Sequence, residues 1–263
     1  MGEKKRGHSN ALNSAIAAAR GEILAFTDDD VQCAPDYLQG IRTVLGQYPA
    51  DGVQGRVLPE FEGGRPEWLD SDFGLTIALR DCSNEVVDLE GPLFGCNMIV
   101  RGEVFRKIGG FSPELGPGAA GLGADTEITL RMREAGCRLI YAPQIIVWHH
   151  LPRERLTKSY FRKRFFTDGC SVAYFVPLPV SLPRFGLYVL KEWVWKEAEA
   201  IWHLCAGRPA LALHCQCEAR WHAGFLWQHW RFRWGIPRQV SGHLLTHLRG
   251  EVRLQKQANV ENQ

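Results

Sequence analysis

The sequence contains no run of 18 apolar residues, the length that a membrane-spanning helix needs. It also shows no secretory signal ahead of its eight cysteines, and those cysteines follow no regular framework spacing. These absences argue against a disulfide-stabilised secreted domain and lead us to expect a reduced, cytosolic compartment. Met1 and Gly2 do not continue into a myristoylation pattern, because Arg6 stands where serine or threonine is required.

Charge is distributed unevenly along the 263 residues, although the formal net charge is only +2. Residues 1–150 contain 14 Lys and Arg against 21 Asp and Glu, whereas residues 151–263 contain 17 against 8. Seven of the nine tryptophans lie after position 190. We therefore predict one domain over residues 1–150 and a basic, Trp-rich helical region over residues 151–263 that has a different partner.

The most informative stretch runs from Glu22 to Val31. Its apolar run, Ile23 to Phe26, is typical of a buried parallel strand, and Asp28, Asp29 and Asp30 follow it directly. Open α/β sheets bind ligands outside the carboxyl ends of their strands, and Mg²⁺ or Mn²⁺ takes carboxylate oxygens together with substrate phosphates. The stretch predicts a metal–phosphate site at a strand end. The alternative is a solvated acidic turn that only caps the next helix.

Three further positions are candidates for chemistry. Asn97 is the polar residue of an otherwise apolar strand over 93–100, and it is either a buried structural amide or a ligand-facing one. Asp125 follows a Gly-rich loop at the start of a helix, where it is either a plain N-cap or a poised carboxylate. His149 and His150 follow a strand, and one of them is a candidate metal ligand as well as an ordinary surface or core histidine.

The remaining pattern alternates helices with strands. Ser9 or Asn10 is expected to cap a first helix that ends at Gly21. Two separate short strands are expected over residues 138–141 and 145–148. Alternation of this kind favours an α/β fold.

The C-terminal region combines aromatic and basic residues. Residues 185–204 form an amphipathic segment that contains Trp193, Trp195 and Trp202. Amphipathic helices of this composition lie on anionic membrane surfaces, so we predict peripheral membrane contact through the C-terminal helices. The alternative is that the Trp face packs on the rest of the protein or on a partner helix. Nucleic acid is not expected as a partner, because no binding motif accompanies the basic residues and the first half is acidic.

Four segments, taken together in this order, resemble family 2 glycosyltransferases of the GT-A fold. They are GHSNALNSAIAAARGEILAFTDDDV (7–31), LFGCNMIVRGEVFRKIGGFSPELG (93–116), GADTEITLRMREAGCRLIYAPQIIVWHH (123–150) and RKRFFTDG (162–169). The resemblance covers about residues 5–170. It implies an α/β fold, with a GT-A-like (Rossmann-like) mixed sheet and flanking helices, followed by amphipathic C-terminal helices.

The resemblance also implies roles for particular residues. Asp28 and Asp30 match the DxD motif, which holds Mn²⁺ or Mg²⁺ against the diphosphate of a nucleotide-sugar donor, and Asp125 matches the general base. Three other matched positions surround the donor: Asn97 beside the sugar, His149 beside the metal or diphosphate, and Arg164 near the phosphates.

The activity implied is an inverting, metal-dependent transfer of a sugar, expected to come from a UDP-sugar, to a glycan or lipid-linked acceptor. The expected location is the cytoplasmic, inner face of the cell membrane. A non-catalytic, membrane-associated interaction module is the main alternative. Nucleotidyl transfer is a third hypothesis, and it would need a phosphate-binding Gly-rich loop ahead of the strand.

The sequence departs from the family pattern at two places. Ala124 stands where the family has the first residue of an acidic pair. The family also has roughly two β–α units ahead of the DxD strand, and this sequence contains neither. Because those units contribute to the base-binding pocket, the resemblance implies weak nucleotide binding by this chain alone.

Overall fold

The computed structural model describes residues 7–119, 122–175 and 182–233, which fall into two compact units. The first unit contains the chain up to residue 119 together with residues 123–164, so it extends beyond residue 150. The second unit contains residues 120–122 and the chain from residue 165 onward. Residues 234–263, which include Trp234, lie outside the described residues.

The first unit contains helices and strands in alternation. They are α1 (His8–Ala18), β1 (Ile23–Phe26), β2 (Val31–Cys33), α2 (Tyr37–Gln47), β3 (Gly52–Phe61), β4 (Val87–Asp88), β5 (Met98–Arg101), α3 (Gly102–Ile108), α4 (Ala124–Glu134) and β6 (Leu139–Leu151). Short 3₁₀ segments lie at Ser71–Ile77, Gly95–Asn97 and Arg153–Arg155. Three long helices follow: α5 (Lys158–Phe175), α6 (Leu182–Cys205) and α7 (Pro209–Arg233). None of the described helices combines the length and the apolar character that crossing a bilayer requires.

The strands form one mixed sheet with the order β1-β5-β3-β6-β2, and β4 pairs with β6 beside this path. β3 and β6 run parallel, whereas β5 is antiparallel to both β1 and β3, and β2 is antiparallel to β6. The prediction of a buried parallel strand over residues 23–26 is therefore wrong. β1 pairs antiparallel with β5 at one end of this order, and its side chains are partly or fully exposed.

The sheet is curled, because β1 and β2 end the strand order at opposite edges yet follow each other in the chain. A flat arrangement of these strands would place the two edges roughly 19 Å apart. The five steps from Phe26 to Val31 can span at most about 18 Å. The turn that contains the three aspartates therefore connects two edges that curvature brings together.

One hydrophobic cluster of the first unit lies between α2 and the sheet. Tyr37, Ile41 and Val44 recur at helical spacing on one face of α2 and are buried against the sheet. They pack on buried residues of β3 and β6, including Val57 and Val147. Burying a side chain of this size contributes roughly 1.5–3 kcal/mol, so this face fixes α2 on the sheet.

Helix α1 begins differently from the prediction. Its N-cap residue is Gly7, and no side chain caps it. The hydroxyl of Ser9 instead donates to the carbonyl of Leu115 at 2.7 Å. The amide of Asn13 exchanges two hydrogen bonds with the backbone of Phe111, each 2.8 Å long. These bonds attach α1 to the loop that leads towards α4.

Close helix packing in the second unit depends on two glycines. A Cβ atom at Gly169 of α5 would collide with the carbonyl oxygen of Trp221, and one at Gly224 of α7 would collide with that of Phe166. The thiol of Cys170 donates to the Gly224 carbonyl at 3.2 Å. Gly169 therefore has a helix-packing role.

Residues 139–151 form one strand, β6, where the sequence predicted two short ones. The pairing of β3 with β6 shifts between Gly55 and Arg56, whose partners are Ala142 and Ile146. The residues skipped on β6 form a bulge, which is why their sequence resembles a break between strands. Gly55 is needed here because a Cβ atom would overlap the Asn97 amide and the Ile145 carbonyl oxygen.

The side chain of Asn97 fills this bulge and is completely buried. Its amide nitrogen donates to the carbonyls of Arg56 and Ile145, both at 2.9 Å, and its oxygen accepts from the hydroxyl of Tyr37 at 3.1 Å. Because these bonds occupy the amide inside the core, Asn97 has a structural role. The expectation that it contacts the donor stays a prediction.

We expect Asn97→Ala to lower the free energy of unfolding by roughly 2–4 kcal/mol, because it leaves buried carbonyls without a donor. Tyr37→Phe removes one of the three bonds and is expected to cost about 1 kcal/mol. The exposed amide Asn84 provides the control, since Asn84→Ala should change stability by less than about 1 kcal/mol. Chemical denaturation measures all three, and equal effects of Asn97→Ala and Asn84→Ala would contradict the structural role.

Candidate functional site

Pairing of β2 with β6 places Asp30 beside His149. The backbone N–H of His150 donates to the carbonyl of Asp30 at 2.8 Å, and Val31 is paired with His149 in the ladder. The Nε2 atom of His149 lies 3.4 Å from Oδ1 of Asp30, and the His149 side chain is buried. Residues that are far apart in the sequence thus meet at the end of the aspartate turn.

A cation that the sequence analysis did not select also contacts Asp30. Nη1 of Arg155 donates to Oδ2 of Asp30 at 2.9 Å. Arg155 ends the short 3₁₀ segment that follows β6, and this segment directs its side chain towards the turn. The ion pair is partly exposed, so its contribution to stability is small, on the order of 1 kcal/mol or less. Its effect is to hold the Asp30 carboxylate in one orientation.

Asp28 has an exposed side chain on the same turn. Desolvation by its surroundings raises the pKa of Asp28, and the negative charge of Asp30 raises it further. His8 and His149 act in the opposite direction. The turn therefore concentrates negative charge that cations only partly compensate.

Asp125 lies in the first turn of α4 and is tied to the segment that leads into β5. Its Oδ2 atom accepts a hydrogen bond of 2.9 Å from the backbone N–H of Gly95. Burial raises the pKa of Asp125, the Gly95 hydrogen bond opposes that rise, and the charge of Asp28 adds to it. A Cβ atom at Gly95 would stand 3.3 Å and 3.4 Å from the two carboxylate oxygens, so glycine leaves the carboxylate accessible.

The segment that presents Gly95 is held by neighbouring polar groups. The N–H of Phe94 donates to Oε1 of Gln54 at 2.6 Å, and Nε2 of Gln54 donates to the carbonyl of Asn97 at 3.2 Å. The N–H of Leu93 donates to Oγ1 of Thr129, whose hydroxyl donates in turn to the Asp125 carbonyl. These bonds fix the position of Asp125 relative to the sheet.

Electrostatic coupling joins Asp125 to the aspartate turn. The pKa of Asp125 responds first to burial and also to Asp28, His8 and Arg164, and the last two lower it. Asp28 likewise responds to His8. Asp28 thus acts electrostatically on Asp125, and Asp30 and His149 act on Asp28, while Arg164 acts on Asp125. That these residues form one site stays a prediction.

His8 joined this site without being selected from the sequence. The backbone N–H of His8 donates to the carbonyl of Pro117 at 3.0 Å, which sets the first turn of α1 against the loop before Asp125. Sequence reasoning assigned Ser9 and Asn10 to capping and therefore passed over the neighbouring imidazole. The sequence did contain a signal that this end of α1 is packed. Ser9 and Asn13 are spaced one helical turn apart, which indicates a polar face in contact with the rest of the protein, next to His8.

The donor atoms near Asp30 are suited to a divalent cation. Oδ1 of Asp30 is buried and has no hydrogen-bond partner among the described residues, and His149 Nε2 faces it. Carboxylate oxygen and imidazole nitrogen are both ligands of first-row metals such as Mn²⁺. Within the part of the chain that the structure describes, no group of three ligand atoms that includes both Asp28 and Asp30 lies within 4.8 Å of one another. The side chains are therefore of the types that bind a divalent cation, but their ligand atoms do not cluster as a set of three.

Comparison with known families and proteins agrees with this geometry. Residues 1–109 match the sequence profile of a family described as Glycosyl transferase family 2. The matched part includes α1, the aspartate turn and β5. It ends before Asp125, so the profile covers one side of the site.

Two named relatives match a longer part of the chain. A glucosyl-dolichyl phosphate glucuronosyltransferase of Haloferax volcanii is 25% identical over 174 residues, which are 64% of this chain and 56% of that protein. A pre-mycofactocin glycosyltransferase of Mycobacterium tuberculosis is 26% identical over 190 residues, which are 68% of this chain and 36% of that protein. The chain thus spans about half or less of the length of these relatives.

A solved structure shares the fold. The mannosyltransferase of Pyrobaculum calidifontis, solved with GDP-Man and Mn²⁺, superimposes with a TM-score of 0.53 at 17% identity. The match covers 86% of this chain and 68% of that one. The mixed sheet with flanking helices is accordingly the GT-A architecture that the resemblance implied. Over residues 1–109 the chain is therefore similar to glycosyl transferase family 2, and the fold agrees with that similarity.

Proposed function

We propose that the chain catalyses an inverting, metal-dependent transfer of a sugar from a nucleotide-sugar donor to a hydroxyl group of a glycan or lipid-linked acceptor. The proposal rests on the Asp125 carboxylate, which the Gly95 N–H holds at 2.9 Å and whose pKa is raised by burial and by Asp28 from a distant part of the sequence. Inverting transfer needs a base on the acceptor side and positive charge near the departing diphosphate, held in a fixed geometry. The site contains residues suited to each task.

Asp125 is the proposed base. Its Oδ2 atom is engaged by the Gly95 N–H, so Oδ1 remains to receive the acceptor proton. The raised pKa, which burial causes, brings its basicity closer to neutral pH than that of an ordinary aspartate. Gly95 contributes by having no side chain that would block the acceptor.

Arg164 and His8 are proposed to face the diphosphate side of the donor. Both lower the pKa of Asp125, against the larger effect of burial, which raises it. Asp28, Asp30 and His149 are the residues proposed to hold Mn²⁺ or Mg²⁺. Such an ion would supply Lewis-acid stabilisation of the leaving diphosphate. Arg155 keeps the Asp30 carboxylate oriented towards His149.

The names of the relatives support the donor and acceptor classes. The Haloferax protein is named for transfer of a glucuronosyl group to a glucosylated dolichyl phosphate, which is a lipid-linked acceptor. The Pyrobaculum protein was solved with a nucleotide sugar and Mn²⁺. A UDP-sugar is the proposed donor for this chain, and the cytoplasmic location at the inner membrane face stays a prediction.

The central test is donor turnover by the wild-type chain and by Asp125→Asn. Nucleoside diphosphate release is followed with UDP- and GDP-sugars in the presence of Mn²⁺ and a lipid-linked or glycan acceptor. The wild-type chain should release diphosphate, and Asp125→Asn should lower kcat by about 10²–10⁴-fold, because the base is lost. Donor affinity, measured by calorimetry, should change by less than about threefold, since Asp125 faces the acceptor.

The control for this test is Asp29→Asn, which alters the middle carboxylate of the turn and leaves both DxD positions intact. It should retain most of the activity. Normal turnover by Asp125→Asn would remove Asp125 from the mechanism. Donor binding without turnover by the wild-type chain, across acceptors of both classes, would contradict the proposed activity.

The metal proposal is tested by the neighbouring histidines. His149→Ala should raise the Mn²⁺ concentration needed for half-maximal donor binding by about tenfold or more, because it removes a ligand. His150→Ala provides the matched control, since His150 is exposed and lies 3.7 Å from Glu60 on the surface. Equal Mn²⁺ requirements for the two variants would exclude His149 as a ligand.

The pKa of Asp125 predicts a pH-dependent stability difference. Burial raises this pKa above that of the unfolded chain, so the native protein retains the proton at pH values where the unfolded chain has lost it. The favourable contribution is complete below about pH 4 and is lost as pH rises through the native pKa. The stability of Asp125→Asn relative to the wild type should therefore increase with pH.

Denaturant titrations between about pH 4 and pH 8 measure this difference. Asp125→Ala should show the same slope at a lower overall stability, because alanine cannot accept the Gly95 hydrogen bond. The pKa of Asp28 is also raised. Because Asp28 is present in the wild type and in both variants, its effect on stability largely cancels when they are compared. A difference that does not vary with pH would contradict the raised pKa.

A further inference from the structure

The outward face of α6 is apolar, although it is exposed to solvent. Six side chains on this face, which we call the outer stripe, recur at spacings that place them along one side of the helix. The outer stripe consists of Leu187, Val194, Trp195, Ala198, Ile201 and Trp202. Five of them are large and between 58% and 64% exposed. Contiguous exposure of this kind marks an interaction surface.

Two charged residues of α6, Lys196 and Glu199, form ion pairs close to α7. Nζ of Lys196 is 2.9 Å from Glu199 and 2.8 Å from Glu218 of α7. The thiol of Cys215 in α7 also donates to Glu199, at 3.8 Å. Charges are thus paired inside the α6–α7 hairpin while large apolar side chains face outward. This is the reverse of the pattern expected for a helix whose outer face meets only water.

Two exposed cations accompany the outer stripe. Lys191 lies on the same side of α6, one helical turn from Leu187 and from Trp195. The guanidinium of Arg208, in the turn after α6, stands 5.6 Å from the ring centre of Trp202. The indole N–H of Trp195 donates to Glu199 at 2.9 Å, so its polar group is satisfied and its ring is free to enter an apolar medium. The Glu199 carboxylate that accepts this bond is itself paired with Lys196.

We propose that the outer stripe, with Lys191 and Arg208, is a membrane-docking surface that lies in the interface of a bilayer rich in anionic lipids. A helix with tryptophan and aliphatic residues on its buried side and cations beside them has the composition of an interfacial helix. The two cations match the negative charge of the lipid headgroups. Docking is parallel to the surface, because none of the described helices is suited to spanning the bilayer.

The dimensions of the outer stripe favour a lipid surface over a second copy of the chain. The stripe extends for about 22 Å along one helix and is roughly 10 Å wide. It therefore offers a few hundred Å², whereas a stable protein interface buries about 800 Å² on each partner. A bilayer needs no matching surface of fixed shape, so a strip one helix wide is sufficient.

The test uses the full chain and vesicle flotation. Vesicles of phosphatidylcholine containing a third of phosphatidylglycerol should bind the wild-type protein, and pure phosphatidylcholine vesicles should bind it at least about fivefold more weakly. Trp195→Ser combined with Trp202→Ser should weaken binding to the anionic vesicles at least about tenfold. Lys191→Glu combined with Arg208→Glu should weaken binding to the anionic vesicles alone.

Matched controls lie on the first unit. Leu38→Ser combined with Leu75→Ser removes exposed apolar side chains away from the outer stripe, and Arg42→Glu reverses an exposed cation. Both should bind vesicles as the wild type does. Far-ultraviolet circular dichroism and thermal midpoints establish that each variant is folded.

Three results would overturn the proposal. They are failure of the wild-type chain to float with anionic vesicles, equal binding by the stripe variant and the controls, and a stripe variant that alters only the oligomeric state in size-exclusion chromatography. The experiment contains no donor or acceptor, so its failure leaves the proposed glycosyl transfer untouched, and failure of transfer leaves this surface untouched.

Discussion

Where β3 and β6 lose their common register, the buried amide of Asn97 supplies the hydrogen bonds that the ladder no longer provides. It bonds to the carbonyls of Arg56 and Ile145 and to the hydroxyl of Tyr37, so it joins β3, β6 and α2 at one point. Asn97 also ends the short segment whose Gly95 N–H holds Asp125. The orientation of the candidate base therefore depends on a polar contact inside the core.

The site is assembled by pairings between distant parts of the chain. Antiparallel pairing of β2 with β6 brings Asp30 to His149, and the segment after β6 adds Arg155. The first turn of α1 brings His8 to the loop before α4. Each contact is set by backbone hydrogen bonds, and such contacts hold side chains more precisely than flexible loops can.

Local patterns predicted those features that local physics determines. The apolar spacing of α2 and the short helix after β5 were visible because each depends on neighbouring residues. The direction and burial of β1 were not visible in the sequence, because an apolar run of four residues is compatible with both parallel and antiparallel pairing. The sequence predicted two strands in place of β6, because the bulge around Pro143 and Gln144 has a sequence similar to that of a loop between strands.

The same contrast between local and long-range features applies to the candidate site. Asp28, Asp30, Asp125 and His149 were selected because carboxylates and histidines at strand or helix ends have recognisable chemistry. Arg155 and His8 were missed because their importance arises from contacts across more than 100 residues of sequence. For Asn97, the sequence indicated that a polar amide in an apolar strand needs partners, but the identity of those partners required the fold.

The aspartate turn has a mechanical consequence for the protein. Residues 27–30 are the direct covalent connection between β1 and β2, which stand at the two ends of the strand order. A change in the curvature of the sheet alters the distance between β1 and β2. The backbone of residues 27–30 must then extend or contract to keep the two strands connected. Packing changes remote from the turn, for example beneath α2, can therefore alter the spacing of Asp28 and Asp30 without contacting either residue.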